Sequence, residues 1–307
     1  MTANQGVTMN AWINQMKRLS AAAGATVMLA ATGVAFAQNC ENPKVLRFSM
    51  VPTQDSVREL SYYKPVLDQL VKNTGRKIEF YMPTSYSSVV EAMLGKWVDF
   101  GVLGPESYVI AKSKSPAIEV FATYHRAKDG IQEEGPGYRS ILITKKGSKF
   151  TSIESLKGSV LALVDPASTS GGLVPEKVFP KAANIPPLKQ YFSRVVYAGA
   201  HDLAAIAVAE GKADAGFAAS HRFMETVNAG KVKLEDFNIL WQSPMIPQDP
   251  FVLRNTLCED VKKAIIDTFM SVDKTEAGQK YLQNVKSLKI VPMKDSDYDI
   301  VREANKK

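Results

Sequence analysis

Cysteine and histidine are scarce in this 307-residue chain, which has two cysteines, Cys40 and Cys258, and three histidines, His125, His201 and His221. Two cysteines cannot build a disulfide-rich scaffold. Three scattered histidines give little support to a multi-histidine metal centre, although a carboxylate-rich metal site stays open. There is no compact His/Asp/Cys ligand cluster and no Gly-x-Ser-x-Gly nucleophile elbow, which weighs against a phosphoryl-transfer or hydrolytic enzyme. Basic residues outnumber acidic ones by 38 to 31, but no long basic block or zinc-finger-like module occurs, so nucleic acid is a poor candidate partner. Beyond residues 19–37, no apolar run reaches membrane length.

That early run has the form of an export signal. Met16-Lys17-Arg18 supplies the basic start, an Ala-rich apolar stretch follows, and Ala35-Phe36-Ala37 offers small residues for cleavage before Gln38. An uncleaved anchor or lipid attachment at Cys40 fits less well, since residues 37–39 lack the apolar and small pattern expected there. Removing Lys17 and Arg18 lowers the net charge from +7 to +5. The remaining length can bury a substantial core as one large domain or two smaller ones. In an oxidising compartment Cys40 and Cys258 either join the first segment to the last or stay free; the sequence leaves both open.

Apolar periodicity predicts an α/β fold. Strands are expected at 45–50, 77–81, 98–103, 117–123, 139–144, 159–164, 194–197, 213–218 and 239–241, and helices at 56–71, 86–94, from Ser170, 201–210, 259–270 and 275–285. Successive beta-alpha units argue for mostly parallel sheets. The polar stretch 125–137 suits a crossing between two lobes, and the proline-rich 242–250 a return crossing. The expected division is a signal peptide at 1–37, the first part of lobe 1 at 38–136, lobe 2 at 137–245, and the return crossing with completion of lobe 1 at 246–307. Trp97 and Trp241 are expected to pack.

The run from Ser159 to Gly172 carries the most chemistry. An apolar strand empties into Ser168, Thr169 and Ser170 at a helix start, followed by Gly171-Gly172. A helix start leaves backbone N–H groups unpaired, and small residues let the backbone approach an oxyanion. Simple capping by one hydroxyl is the alternative. Thr84-Ser85-Tyr86-Ser87-Ser88 gives a second hydroxyl-rich helix start from the other lobe. Donors from both lobes would meet on one anion only when the lobes approach. Tyr138, after Gly135-Pro-Gly137, and His201, opening a helix, are further donors, with packing roles as their alternatives.

Taken together, Tyr86-Ser-Ser-Val-Val-Glu-Ala-Met93, Pro136-Gly-Tyr138-Arg-Ser, Asp165-Pro-Ala-Ser-Thr-Ser-Gly171 and Ile246-Pro-Gln-Asp-Pro250 resemble the periplasmic phosphonate/phosphite-binding proteins of bacterial ABC importers, the PhnD-like family. The resemblance spans roughly residues 45–304. It implies a two-lobed type II periplasmic binding fold with a central ligand cleft and two interlobe crossings, no catalysis, no cofactor or metal, and a monomer that hands a small phosphorus oxyanion to an ABC permease driven by a separate ATPase. By correspondence, Tyr86, Tyr138, Ser168, Thr169, Ser170 and His201 are expected around the phosphorus-bound oxygens. Hydroxyl and backbone donors are expected to hold the anion without a full lysine or arginine charge. Selectivity is assigned to Ser85, Ser87, Ser88, Glu106, His221 and Asp249; His221 stands where relatives that bind aminoalkylphosphonates can carry a glutamate. A sulfonate or carboxylate binder, an exported enzyme, and a structural or signalling protein are the alternatives.

Overall fold

The computed structural model describes residues 40–53 and 55–306. The expected export signal and its expected cleavage after Ala37 lie outside them. Among the described residues, no helix is long and apolar enough to cross a membrane.

Thirteen strands form among these residues: β1 (Val45–Met50), β2 (Lys77–Phe80), β3 (Phe100–Val102), β4 (Ile118–Arg126), β5 (Gly137–Tyr138), β6 (Ser140–Lys145), β7 (Val160–Leu163), β8 (Arg194–Tyr197), β9 (Ala215–Ala219), β10 (Phe237–Gln242), β11 (Ile246–Pro247), β12 (Pro250–Arg254) and β13 (Ser287–Pro292). The first sheet has the order β13-β4-β12-β3-β1-β2 and the second β10-β6-β9-β7-β8. In each sheet three neighbours are parallel, β2-β1-β3 and β8-β7-β9. The others are not, which corrects the expectation of mostly parallel sheets: β12 runs antiparallel to β3 and β4, and β6 antiparallel to β9 and β10. The reason is the route of the chain. β6 and β12 each enter their sheet straight from a crossing, at the edge where the parallel strands end, and so run the opposite way.

The two lobes are connected by crossing strands that pair with each other. β5 and β11 form a two-stranded ladder, Ile246 opposite Tyr138 and Pro247 opposite Gly137. The segment 242–250, expected to be irregular, therefore holds a short ladder, because two extended crossings satisfy each other's backbone groups.

Helices cover the sheets by burying their apolar stripes. The helix Ser56–Thr74 buries Tyr63, Val66, Leu67 and Leu70 and ends at Gly75, whose φ of 65° lets its N–H reach Val71 O. The Tyr63 and Tyr124 hydroxyls lie 2.6 Å apart and those of Tyr124 and Tyr281 2.8 Å apart, so the polar tips of these buried rings are satisfied. In the second lobe Trp241 packs edge-on against Phe179 at 5.2 Å. Trp97 does not pack: 63% of it is exposed. Lys96, at φ 62°, turns the chain sharply after the helix Tyr86–Leu94, which leaves Trp97 on the surface before Val98 goes inside.

Cys40 and Cys258 are joined in a disulfide with Cα atoms 4.8 Å apart, closing a separation of 218 residues. The neighbouring backbone is paired too, with Glu41 N–H on Thr256 O and Cys258 N–H on Glu41 O.

Candidate functional site

The parallel strands of both sheets deliver their following residues to one region between the lobes. After β7, Asp165 Oδ1 accepts from Ala167 N–H at 2.8 Å and Asp165 O from Ser168 N–H at 2.9 Å, which folds 165–168 into a tight turn. Ser168 then caps a π-helix, Thr169–Val178, its Oγ accepting from Gly171 N–H at 3.2 Å. Glycine is required at both following positions. A Cβ on Gly171 would lie 2.2 Å from the Val164 side chain, and one on Gly172 2.3 Å from Asp165 O.

Thr169 reaches across to the first lobe, where its Oγ1 accepts from Glu106 N–H at 2.7 Å. Ser107 Oγ donates to Ala167 O at 2.8 Å beside it. These bonds come from the start of a helix, Pro105–Lys114, with proline at its first turn. Ser168 and Thr169 thus each accept one backbone bond, which leaves their hydroxyl hydrogens to donate elsewhere. Ser170 is fully buried, and its Oγ has no hydrogen-bond partner.

His201 opens the helix His201–Ala209. Its Nδ1 accepts from Ala219 N–H at 3.1 Å, so in the neutral ring Nε2 carries the hydrogen. Burial, with His221 and Arg222 nearby, lowers its pKa to about 3 and keeps it neutral. Tyr86 begins the helix Tyr86–Leu94 and packs edge-on to His201 at 6.3 Å. Burial raises the pKa of Tyr86 and Tyr138, so both phenols keep their protons.

A small void lies among these groups. Tyr86, Tyr138, Ser168, Thr169 and His201 line it, with Gly104, Ala219, His221, Arg222 and Asp249. Five of the six residues expected at the oxygens therefore share one void, and Ser170 is buried in the next position. The remaining selectivity candidates divide. His221 and Asp249 line the void. Ser85 and Ser88 form a reciprocal helix cap, Ser85 Oγ accepting from Ser88 N–H and Ser88 Oγ from Ser85 N–H, both at 3.0 Å. Ser87 is exposed. Glu106 Oε2 accepts from Asn305 Nδ2 at 2.7 Å, on the helix Asp299–Lys306, and is not among the lining residues.

The sequence reading missed Arg222. It lies on the helix Ser220–Asn228, with Nη1 2.6 Å from Glu59 Oε1 and 3.0 Å from Glu225 Oε2, and Nη2 3.7 Å from Asp249 Oδ2. Arg126 Nη1 adds a contact of 3.1 Å to Glu225 Oε1. A guanidinium thus stands at the void beside the hydroxyl and backbone donors expected there, its charge met by Glu59, Glu225 and Asp249. Burial works against that charge, but Glu225, Glu59 and Asp249 outweigh it. An adjacent open groove of about 1180 Å³ shares Tyr86, His201 and Arg222 with the void. Among the described residues, no group of three or more His, Cys, Asp or Glu side chains is placed to hold a metal ion.

Glu106 carries a testable pH signature. Burial lifts its carboxyl from 4.5 to about 7, opposed by the Asn305 bond. A folded pKa above the unfolded one gives a contribution that is complete below pH 4.5 and lost as pH rises through 7. Glu106→Gln is expected to remove that part of the decline, seen as a shallower fall of Tm between pH 4.5 and 7. Parallel Tm profiles for the two proteins would argue against it.

The family model described as the periplasmic substrate-binding protein of a phosphonate ABC transporter matches residues 48–298. The phosphonates-binding periplasmic protein of Escherichia coli is 30% identical over 249 residues, covering 80% of this chain and 71% of its own. The phosphate-import protein PhnD of Mycolicibacterium smegmatis is 28% identical over 278 residues, covering 85% and 84%. Among solved structures, a binding protein component of an ABC phosphonate transporter from Pseudomonas aeruginosa superposes with a TM-score of 0.77 at 27% identity, covering 86% of each chain.

Proposed function

The chain belongs to the periplasmic substrate-binding proteins of phosphonate ABC transporters, and from that premise we propose that it captures phosphonate or phosphite between two closing lobes through Tyr86, Tyr138, Ser168, Thr169, Ser170 and His201. It is a periplasmic solute-binding protein that delivers a phosphonate-like ligand to an ABC permease. Its relatives are binding proteins rather than enzymes. In this reading the fold is the type II periplasmic binding fold with a ligand cleft, closed about crossings near residues 137 and 246. Lobe 2 is 137–245, lobe 1 is 38–136 with 246–307, and the mature protein begins after Ala37 and acts as a monomer.

One observation supports the reading above the others: donors from both lobes meet at one small void. Tyr86 comes from the first lobe, Ser168, Thr169 and His201 from the second, and Tyr138 from the crossing between them. Ser168 and Thr169 already accept backbone bonds, His201 is fixed as an Nε2–H donor, and both phenols stay protonated. Such a set binds an oxyanion by replacing the hydrogen bonds it loses to water. The names of the E. coli and M. smegmatis relatives, which refer to phosphonates and phosphate, point to phosphorus.

Thr169→Val tests the site. The variant removes one hydroxyl donor and leaves Glu106 N–H without its acceptor, so calorimetry with phosphite or methylphosphonate should show binding about tenfold weaker. Unchanged affinity in a folded variant would overturn the assignment.

A further inference from the structure

Within residues 295–305 the C-terminal tail touches three separate parts of the molecule. Asp295 Oδ1 accepts from Tyr108 Oη at 2.6 Å, on the helix Pro105–Lys114 that follows β3 of the first sheet. Tyr298 Oη donates to Gln248 O at 2.9 Å, on the return crossing. The helix Asp299–Lys306 then packs on the helix Thr169–Val178 of the second lobe as well as on Pro105–Lys114. A helix this short is marginal by itself in water, so what it packs on decides whether it forms. Its inward residue is Val301, which is 3% exposed, while Ile300 beside it faces solvent.

The contact with the second lobe is apolar. Val301 and Tyr298 belong to one buried cluster with Tyr108, Val109 and Val120 of the first lobe, and with Leu173. Among the described residues, Leu173 is the one buried member of that cluster contributed from 140–242. Its neighbour Val174 packs instead with Tyr138, Ala219 and Ile246. Leu173 is therefore a second-lobe side chain seated in a first-lobe core, and it stands on the same helix that presents Thr169 to the void.

Two hydrogen bonds share this seam, Glu106 N–H to Thr169 Oγ1 and Ser107 Oγ to Ala167 O. When the lobes part, water replaces both partners, so each bond favours closure only modestly. Water offers no substitute for the seat of Leu173, and opening exposes apolar surface on both sides of it. We propose that the helix Asp299–Lys306 is a third, non-covalent connection between the lobes, an apolar clasp on Leu173 that favours the closed conformation and slows release of the ligand. This takes the two closing lobes proposed above as given. Neither Leu173 nor Val301 lines the void, so the clasp acts on the ligand through closure alone.

The test reads closure and release separately. Lys64→Cys and Lys212→Cys put spin labels on exposed positions of the two lobes, the native cysteines being joined to each other. Pulsed EPR then gives the interlobe distance with and without methylphosphonate. Val301→Ala should enlarge the open share of the ligand-free protein and leave the ligand-saturated distance unchanged. Stopped-flow binding of methylphosphonate should show koff raised about five- to tenfold, with kon not reduced. Leu173→Ala, on the other side of the contact, should give a similar rise, and the double variant no more than the larger single effect, since both remove one contact. Effects that multiply in the double variant would make the two residues independent and overturn the clasp. An unchanged koff, even with a lower Tm, would reduce the helix to a stabiliser of the first lobe and overturn it too. If Val301→Ala does not fold, Val301→Thr, which keeps the shape, takes its place. A wild-type distance that does not respond to bound methylphosphonate overturns the closing-lobe reading itself, whereas a responsive wild type with unchanged koff in both variants overturns only the clasp.

Discussion

Replacing Cys40 and Cys258 together with alanine is expected to lower the unfolding free energy by about 3–5 kcal/mol. The disulfide closes a separation of 218 residues, and a loop of that size greatly restricts the unfolded chain. Alanine is the better choice than serine, because Cys258 sits at the N-cap of the helix Glu259–Met270 without a side-chain cap bond, and a serine there could add one. Urea unfolding should show a lower midpoint in the variant. It should also show a steeper denaturant dependence, since the uncrosslinked chain exposes more surface when unfolded. Matching midpoints would mean that the backbone pairing around Glu41 and Thr256 already secures this corner and that the covalent bond adds nothing measurable.

Arg222→Met should have the larger effect on function. The guanidinium is shared by Glu59 of the first lobe and by Glu225 and Asp249, so its loss leaves one buried and two half-buried carboxylates facing one another. Breaking a buried ion pair by removing one partner costs about 3–5 kcal/mol. Burial already raises the pKa of Glu59 and Asp249, and without Arg222 to oppose it both would rise further, a contribution present at low pH and lost as pH rises. The variant should therefore regain stability on acidification relative to the wild type. Its affinity for methylphosphonate at neutral pH should fall by about 100-fold or more, because the surplus negative charge lies on the anion's side of the void. Adding Glu59→Gln should recover part of both losses. A single variant with wild-type Tm and affinity would show that Arg222 only fills space.

Much of the fold was readable from apolar spacing. Strands β1 and β8 and the helices Tyr86–Leu94 and Glu259–Met270 fall where the pattern places them: β1 and the two helices bury apolar stripes, and β8 is a short edge strand whose Val195 and Val196 are half-buried. The helix Ser220–Asn228 was not readable. Its buried face includes His221, Arg222 and Thr226 beside Phe223 and Met224, and a stripe of mixed polarity has no clean apolar period. β12 escaped for another reason: it opens on Pro250 directly after a proline-rich crossing, so turn signals mask a strand that is central to its sheet.

The site shows the same split. Ser168 and Thr169 could be picked out because three hydroxyls precede two glycines, more than capping alone requires. Ser85 and Ser88, by contrast, turned out to be tied to each other as a cap. Arg222 could not be found from spacing, because its significance comes from Glu59, 163 positions away in the sequence. Glu106 was placed among the selectivity candidates, yet Pro105 at the first helical turn sets it at a helix start with its side chain against Asn305.

The interleaving of the sheets also constrains how the nascent chain matures. All strands of the second sheet, β6 to β10, come from 140–242 and can assemble once that stretch is available. β4 is different, because both of its neighbours, β12 and β13, are encoded after that stretch. Until 250–292 arrive, β4 has two bare hydrogen-bonding edges and the apolar side chains of Phe121 and Tyr124 to shield, the kind of surface that aggregates during synthesis and export. β4 can therefore be closed on both edges only after β12 and β13 have joined it.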